Sequence, residues 1–368
     1  MKLNRPEHML FALLRSAFWR QEVDEAVFST ATAGDWSECM HLAVSQGVQA
    51  VAFDGVAALP VSCRPPRTLK LAWAAGTAAI ERRHARYLHT LSRLSAFYEK
   101  QGLRMMLMKG PGLAADYPVP AHRESGDLDI WLFGEYAEGN RLMEQQGISV
   151  DTHGPKHSCF YFEGIPVENH RTFLNVTQFK TDRLLEPVLH RSLADGICGT
   201  LSLPERRRVW LPSPLFSAVF LARHMSVHFV NGIVLRHLCD WAHFLCRHQG
   251  EYEVEKWMDA FRSVGLLPVV QAFTWLTVEY IGLPPEYAPF PTLSPVGLEE
   301  LLLANILRPS IPARPENKNP FGIISFKWRR LLATRWKYEL VHRESFGKKL
   351  TSSAVSHLLH PGTIFNLE

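Results

Sequence analysis

An α+β fold is predicted for this 368-residue chain: a small mixed β-sheet core with helical regions before and after it. Three observations predict it. Apolar residues recur at helical spacing through most of residues 1–100 and again from about 178. Between these stretches lie short apolar runs bounded by glycine and proline, some with strand-like alternation. A chain of this length, 46% hydrophobic, exceeds one small core and is enough for two or three domains. The expected division is a helical region at 1–100, the sheet core at 101–180, a helical region closing a cleft at 181–285, and a Pro-rich connector with a basic helical region at 286–368.

The elements follow in order. "EHMLFALLRSAFW" has helical spacing, and "DWSECMHLAVSQGVQAVAFDGVAAL" starts at Asp35, a cap candidate. "CRPPRT" is a connector. The long amphipathic run from Leu69 ends at Gly102, a good C-cap. "RMMLM" then reads as a buried strand, ending in the turn Lys109-Gly110-Pro111-Gly112. "GLAADYP" suits one or two helical turns, "DLDIWLF" a second strand, and "EYAEGNRLMEQQG" a helix closed by Gly147. "ISVDTH", "HSCFYFEG" and "IPVENHRTF" read as consecutive strands. In the last, Val167 and Asn169 face one way, Glu168 and His170 the other. From about 178 the reading is helical again, interrupted by the Pro-rich "LPPEYAPFPTLSPVG". There is no internal repeat and no low-complexity tract.

Composition narrows the class. Charged residues at 21% argue against wholesale disorder, and a net charge of +4 does not by itself imply nucleic acid. The six cysteines form no Cys-x-x-Cys pair and read as reduced thiols. The N-terminal apolar run is broken by Arg15 and lacks a small-residue cleavage site. No uncharged apolar run approaches the roughly 18–20 residues of a membrane span. A soluble cytoplasmic protein with no membrane partner is the expectation.

The chemistry concentrates on Asp127 and Asp129. One residue apart on a strand, they leave the same face about 6–7 Å apart along the chain. Such carboxylates repel, which raises one pKa unless something positive sits between them. A divalent cation does this; Mg²⁺ prefers oxygen ligands and commonly takes one or two carboxylates plus substrate phosphates. Glu168, on a later strand, is the natural third ligand. Three carboxylates can hold two metals roughly 3.5–4 Å apart. An isolated Asp-x-Asp is more often a pair of solvated strand residues. Here the pair opens an apolar strand, follows Gly126, and comes after a turn bearing Lys109-Gly110 and after Arg123.

On these residues the chain resembles the nucleotidyltransferase (DNA polymerase beta-like) superfamily. More narrowly, it resembles a bacterial nucleotidyltransferase family with a Lys-Gly turn, an Arg, an Asp-x-Asp strand and a later acidic-x-His. The carriers are "LMKGPGLAADYP", "HRESGDLDIWL" and "VENH", and the likeness runs over roughly residues 10 to 250. The resemblance implies a nucleotidyltransferase core in which Asp127 and Asp129 bind metal. Glu168 would be the third acidic residue, which in the wider superfamily helps deprotonate the acceptor hydroxyl. It implies Mg²⁺, with Mn²⁺ as the alternative, and a nucleoside triphosphate as substrate. Lys109-Gly110 departs from the superfamily's Gly-Ser triphosphate turn. Lys109 could contact phosphate by charge and Gly110 by its amide. Ser125 could supply the missing hydroxyl, and Arg123 suits bidentate phosphate contact. The bland readings are a solvated Lys109, an Arg123 paired with an acidic neighbour, and a structural His170 rather than a catalytic one.

Two further features stand apart. His224 and His228 have the i, i+4 spacing of a metal pair, and His237, Asp240 and His243 recur at three-residue steps on the next helix. The favoured reading is that they line the cleft or bond one another between helices, with zinc as the rarer alternative. Arg236 and Asp240 receive a structural or substrate-orienting role. Residues 306–349 interleave Arg329, Arg330, Arg335 and Lys337 with Trp328, Trp336 and Tyr338. That suits RNA contact, or, as favoured here, an amphipathic helix with its aromatics packed inward. The acceptor is left open among small molecule, protein hydroxyl and RNA. The rival functions are a catalytically inactive nucleotide- or partner-binding module, and phosphoryl rather than nucleotidyl transfer.

Overall fold

The computed structural model of the protein describes residues 2–194, 199–289, 297–309, 320–344 and 347. The N-terminal region is helical: α1 (Arg5–Trp19), α2 (Glu25–Ser29), α3 (Ala33–Ser45), α4 (Gln49–Ala58) and the long α5 (Arg67–Lys100). Helix α3 starts at Thr32, earlier than the expected cap at Asp35. The Thr32 hydroxyl accepts from the Asp35 amide while the Asp35 carboxylate accepts from the Thr32 amide. Asp35 is therefore the reciprocal third-position partner of a capping box. Helix α5 ends as expected, the chain leaving through Gly102 at φ 77°.

The central segment then alternates β1 (Met106–Leu107), α6 (Pro111–Ala114), β2 (Leu128–Trp131), α7 (Tyr136–Gln145), β3 (His157–Phe162) and β4 (Ile165–His170). After α8 (Lys180–Ala194) come two strands, β5 (Gly199–Ser202) and β6 (Arg208–Leu211), in a stretch read as helical. All six strands form one mixed sheet in the order β3-β4-β2-β1-β6-β5. Strands β2 and β4 are parallel and in register, Asp129 opposite Glu168; β1 is antiparallel to β2 and parallel to β6. "GTLS" and "RVWL" are too short and too mixed in polarity to announce strands. Only Leu203 and Val209 around them are buried, against the Leu94–Leu107 face. The expected strand at "ISVDTH" shrinks to one bridge, Asp151 with Cys159. There the Asp151 carboxylate accepts from the His153 amide, a local turn that ends the pairing.

Alternation along the strands divides the core. Leu107, Leu128, Ile130 and Val167 pack with Tyr87, Leu91, Leu94 and Tyr98 of α5 and Leu142 and Met143 of α7. Met106, Met108 and Trp131 belong instead to the larger core with Phe173, Leu185, Phe216 and Phe220. Asp129 has the parity of Trp131, so the acidic residues face the second, helical side.

That side is built by α8, α9 (Pro214–Asn231) and α10 (Leu235–Arg247), followed by α11 (Val254–Ser263), α12 (Leu267–Leu276) and α13 (Leu298–Leu307). Of the basic segment, α14 (Pro320–Ala333) and α15 (Arg335–His342) are described. Ile323, Phe326, Tyr338 and Val341 are buried, Trp336 meets Phe229 edge-on at 5.5 Å, and Trp328 stays half exposed. This packing follows the amphipathic reading. Much of the Pro-rich connector and residues 348–368 lie outside the described residues. The five described cysteines are unpaired. Among the described residues no helix is long and apolar enough to cross a membrane.

Candidate active site

The site begins at the turn between β1 and α6. Gly110 sits at φ 72°, and a Cβ there would stand 3.2 Å from the Asp127 carbonyl oxygen. A residue without a side chain lets this turn close against the Asp-x-Asp segment. The Tyr87 hydroxyl of α5 donates to the Gly126 carbonyl at 2.8 Å and holds the same segment from the other side.

Lys109 is thereby delivered between the aspartates. Its Nζ lies 3.3 Å from Asp127 Oδ1 and 2.9 Å from Asp129 Oδ2. The positive charge that the sequence demanded is supplied, in this structure, by the chain's own lysine. Asp129 is fully buried, and His170 Nε2 stands 3.1 Å from its Oδ1. The other ring nitrogen of His170 faces the Thr172 carbonyl at 3.1 Å. Both neighbours are acceptors, so both bonds form together only when each ring nitrogen carries hydrogen. Glu168 lies 3.5 Å from His170 Nε2 and 2.9 Å from His157 Nδ1. Oxygens of Asp129 and Glu168 and a ring nitrogen of His170 all fall within 4.8 Å of one another.

Electrostatics separate the three acids. Burial, then the adjacent Asp129 charge, pushes the Asp127 carboxyl up despite Lys109. Burial works against Asp129 too, but Lys109 and His170 hold it below its usual range. Glu168 is held far below its range against burial by the neighbouring His157 and His170 rings. Lys109 is raised: burial opposes its charge, and Asp129, Asp127 and Glu168 outweigh burial. Three carboxylates thus share one lysine and the imidazoles of His170 and His157, a crowding of acids that a further cation would relieve.

The residues fit a hard divalent ion in their donor chemistry. They offer carboxylate oxygens from neighbouring strands, and Asp129 Oδ2 has an ion pair with Lys109 but no hydrogen bond. Lys109 competes for the same oxygens.

The remaining expected residues are placed differently. Arg123 is buried and makes a bidentate pair with Asp240 of α10, Nε to Oδ1 at 3.0 Å and Nη2 to Oδ2 at 2.8 Å. Its Nη1 donates to the Ser125 hydroxyl at 3.0 Å, and Tyr117 donates to Asp240 at 2.7 Å. Arg123 and Ser125 are therefore held by the protein, and the bland reading of Arg123 is the one its contacts follow. Arg236 donates to the Glu124 carbonyl. A tight cavity of about 30 Å³ lies between Lys109, Gly110, Asp127, His224, Arg236 and His237, room for an ion or a water but not a nucleotide. A larger cavity of about 320 Å³, lined by Lys156, Asn175, Phe179 and Arg223 among others, adjoins it through His224. Sequence reading missed His157; its only signal is the register that puts it opposite His170 across β3 and β4.

A family model described as an uncharacterised nucleotidyltransferase matches residues 32–282, more than half of the chain. No curated protein and no solved structure matches.

Proposed function

This chain belongs to that uncharacterised nucleotidyltransferase family, and from this premise we propose that it moves a nucleoside monophosphate from a triphosphate to a hydroxyl acceptor. The acceptor oxygen bonds to the α-phosphorus, the bond from that phosphorus to the bridging oxygen breaks, and pyrophosphate leaves. Glu168 takes the hydroxyl proton. Its position in register with Asp129 on the adjacent parallel strand is the single observation that carries the reading. Asp127, Asp129 and Glu168 would hold Mg²⁺, or Mn²⁺, which when bound neutralises and orients phosphate oxygens. Lys109 exchanges its aspartate partners for phosphate oxygens as the nucleotide enters. Arg123 and Ser125 act at one remove, tying the strand entry to α10.

The second reading is an inactive nucleotide- or partner-binding module. Lys109 between the aspartates and the tightness of the 30 Å³ cavity favour it. Incubation with α-labelled and, separately, γ-labelled triphosphates tests both. Transfer of α-label with pyrophosphate release supports nucleotidyl transfer, and γ-label in the acceptor means phosphoryl transfer. No label transferred across nucleotides and a lysate of acceptors, with nucleotide still bound, means the silent module.

A further inference from the structure

Helices α9 and α10 turn three imidazoles toward one point. His224 and His228 are one helical turn apart on α9, and His237 comes from the first turn of α10. Their ring centroids are 4.2 Å (His224–His228), 4.7 Å (His228–His237) and 5.9 Å (His224–His237) apart. One nitrogen from each lies within 4.8 Å of one from each of the others. Three aromatic rings can meet this way merely as packing, but two details argue otherwise.

First, among the described residues no hydrogen bond or ion pair engages His224 or His228. These partly buried imidazoles therefore keep ring nitrogens that a water or an ion can bond. Second, the Val234 backbone engages His237 Nδ1 with both its groups, the carbonyl oxygen at 3.1 Å and the donating amide nitrogen at 3.3 Å, and leaves Nε2 without a backbone partner. When Nδ1 donates to that carbonyl, Nε2 keeps its lone pair, the arrangement in which metal-ligating histidines are commonly oriented.

We propose that His224, His228 and His237 form a three-imidazole site for a divalent transition-metal ion of the zinc class, separate from the carboxylates. Three nitrogen donors suit such an ion and do not suit Mg²⁺, which prefers oxygen. His224 and His237 also line the small cavity with Lys109 and Asp127, so a fourth ligand, water or substrate, enters from the cleft. Burial together with neighbouring Lys109, Lys156 and Arg236 keeps all three rings neutral, so no proton competes for the lone pairs. Those cations also oppose a metal ion. Lys109 is offset by Asp127 and Asp129, while Glu124 and Asp240 stand near Arg236. The inference does not rest on nucleotidyl transfer.

The test uses untagged, chelator-stripped full-length protein titrated with Co²⁺ alone and then Zn²⁺ alone. The expected result is one equivalent of Co²⁺ with visible absorption from a low-coordinate nitrogen site, displaced by Zn²⁺. Affinity should fall tenfold or more in both His224→Gln and His228→Gln, and should change by less than tenfold in Glu168→Gln, each checked for folding by circular dichroism. If a histidine variant does not fold, a single His→Asn change at the same position, or at His237, replaces it. Absence of Co²⁺ absorption in the parent protein, a loss under tenfold in the histidine variants, or a loss of tenfold or more in Glu168→Gln overturns the proposal. The last outcome would put the ion on the carboxylates instead.

Discussion

On the sheet side of the cleft, Asp127, Asp129 and Glu168 stand against Lys109 and His170, every one of them within an ion pair. On the helical side, α9 and α10 present His224, His228 and His237, with no charge partner for the first two among the described residues. Burial acts on both walls in the same sense, disfavouring the charged form. Asp129 and Glu168 keep their charge because opposite charges are near, while Asp127 is pushed up despite Lys109. The imidazoles lose theirs because deprotonation is easy for a group that titrates near neutrality. One wall is thus a charged, oxygen-rich surface suited to hard cations and phosphate; the other is a neutral, nitrogen-rich one suited to softer ions.

The comparison breaks most visibly at the aspartates. Asp127→Asn and Asp129→Asn should each lower turnover by roughly 10²–10⁴-fold, in a pyrophosphate-release assay. Asp127 is a third exposed, so its variant should unfold in urea almost as the parent does. Asp129 is fully buried, and its loss should also destabilise the fold by roughly 3 kcal/mol, because Lys109 and His170 lose a partner in the interior. Full activity in purified Asp127→Asn would remove the carboxylates from the mechanism.

The tie between the walls comes next. Arg123→Ala leaves Asp240 buried with, among the described residues, Tyr117 alone as a bonding partner and should cost about 3–5 kcal/mol in urea unfolding at pH 7. A loss under about 1 kcal/mol would mean that the two walls are not joined through this pair.

The helical wall can be sharpened by pH at His243, which sits among Phe18, Trp19 and Tyr117. Burial pushes its pKa down to about 4, with Asp240 opposing. The unfolded chain protonates this ring below about pH 6.5 and the folded chain does not until about pH 4. The unfolded state therefore binds more protons in that window, and stability falls as pH drops through it. His243→Phe should remove up to roughly 3 kcal/mol of that fall. Parallel urea curves at pH 7 and pH 4.5 measure it, and an unchanged pH slope would show the ring to be charged or solvated in the folded protein.

The smallest effect belongs to the sheet wall's turn. Gly110→Ala forces a side chain into positive φ beside the Asp127 carbonyl and should destabilise by about 1–2 kcal/mol. A melting temperature equal to the parent's would mean that the turn relaxes freely.

How much of this was legible varied with the kind of interaction. The helices before residue 100, the Asp-x-Asp strand and the shared parity of Glu168 and His170 follow from local periodicity, which depends on neighbours in the chain. Strands β5 and β6 did not announce themselves, because each has four residues and gains its order by pairing with β1 and with each other. The bond from Arg123 to Asp240 spans 117 positions, and nothing near either residue distinguishes ion pairing from phosphate contact. Lys109 was expected at a phosphate or in solvent; its insertion between the acids required the register of β1 on β2.

Sequence alone determined which groups this protein has to manage: alternate aspartates on a strand, an acid-x-His strand, a Lys-Gly turn and histidines at helical spacing. These are properties of short segments, set by backbone period and side-chain chemistry. The tertiary structure alone decided which of them meet. Ion pairs, imidazole clusters and cavities form between segments distant in the chain, and their energies depend on burial that no single segment possesses until the others have closed over it.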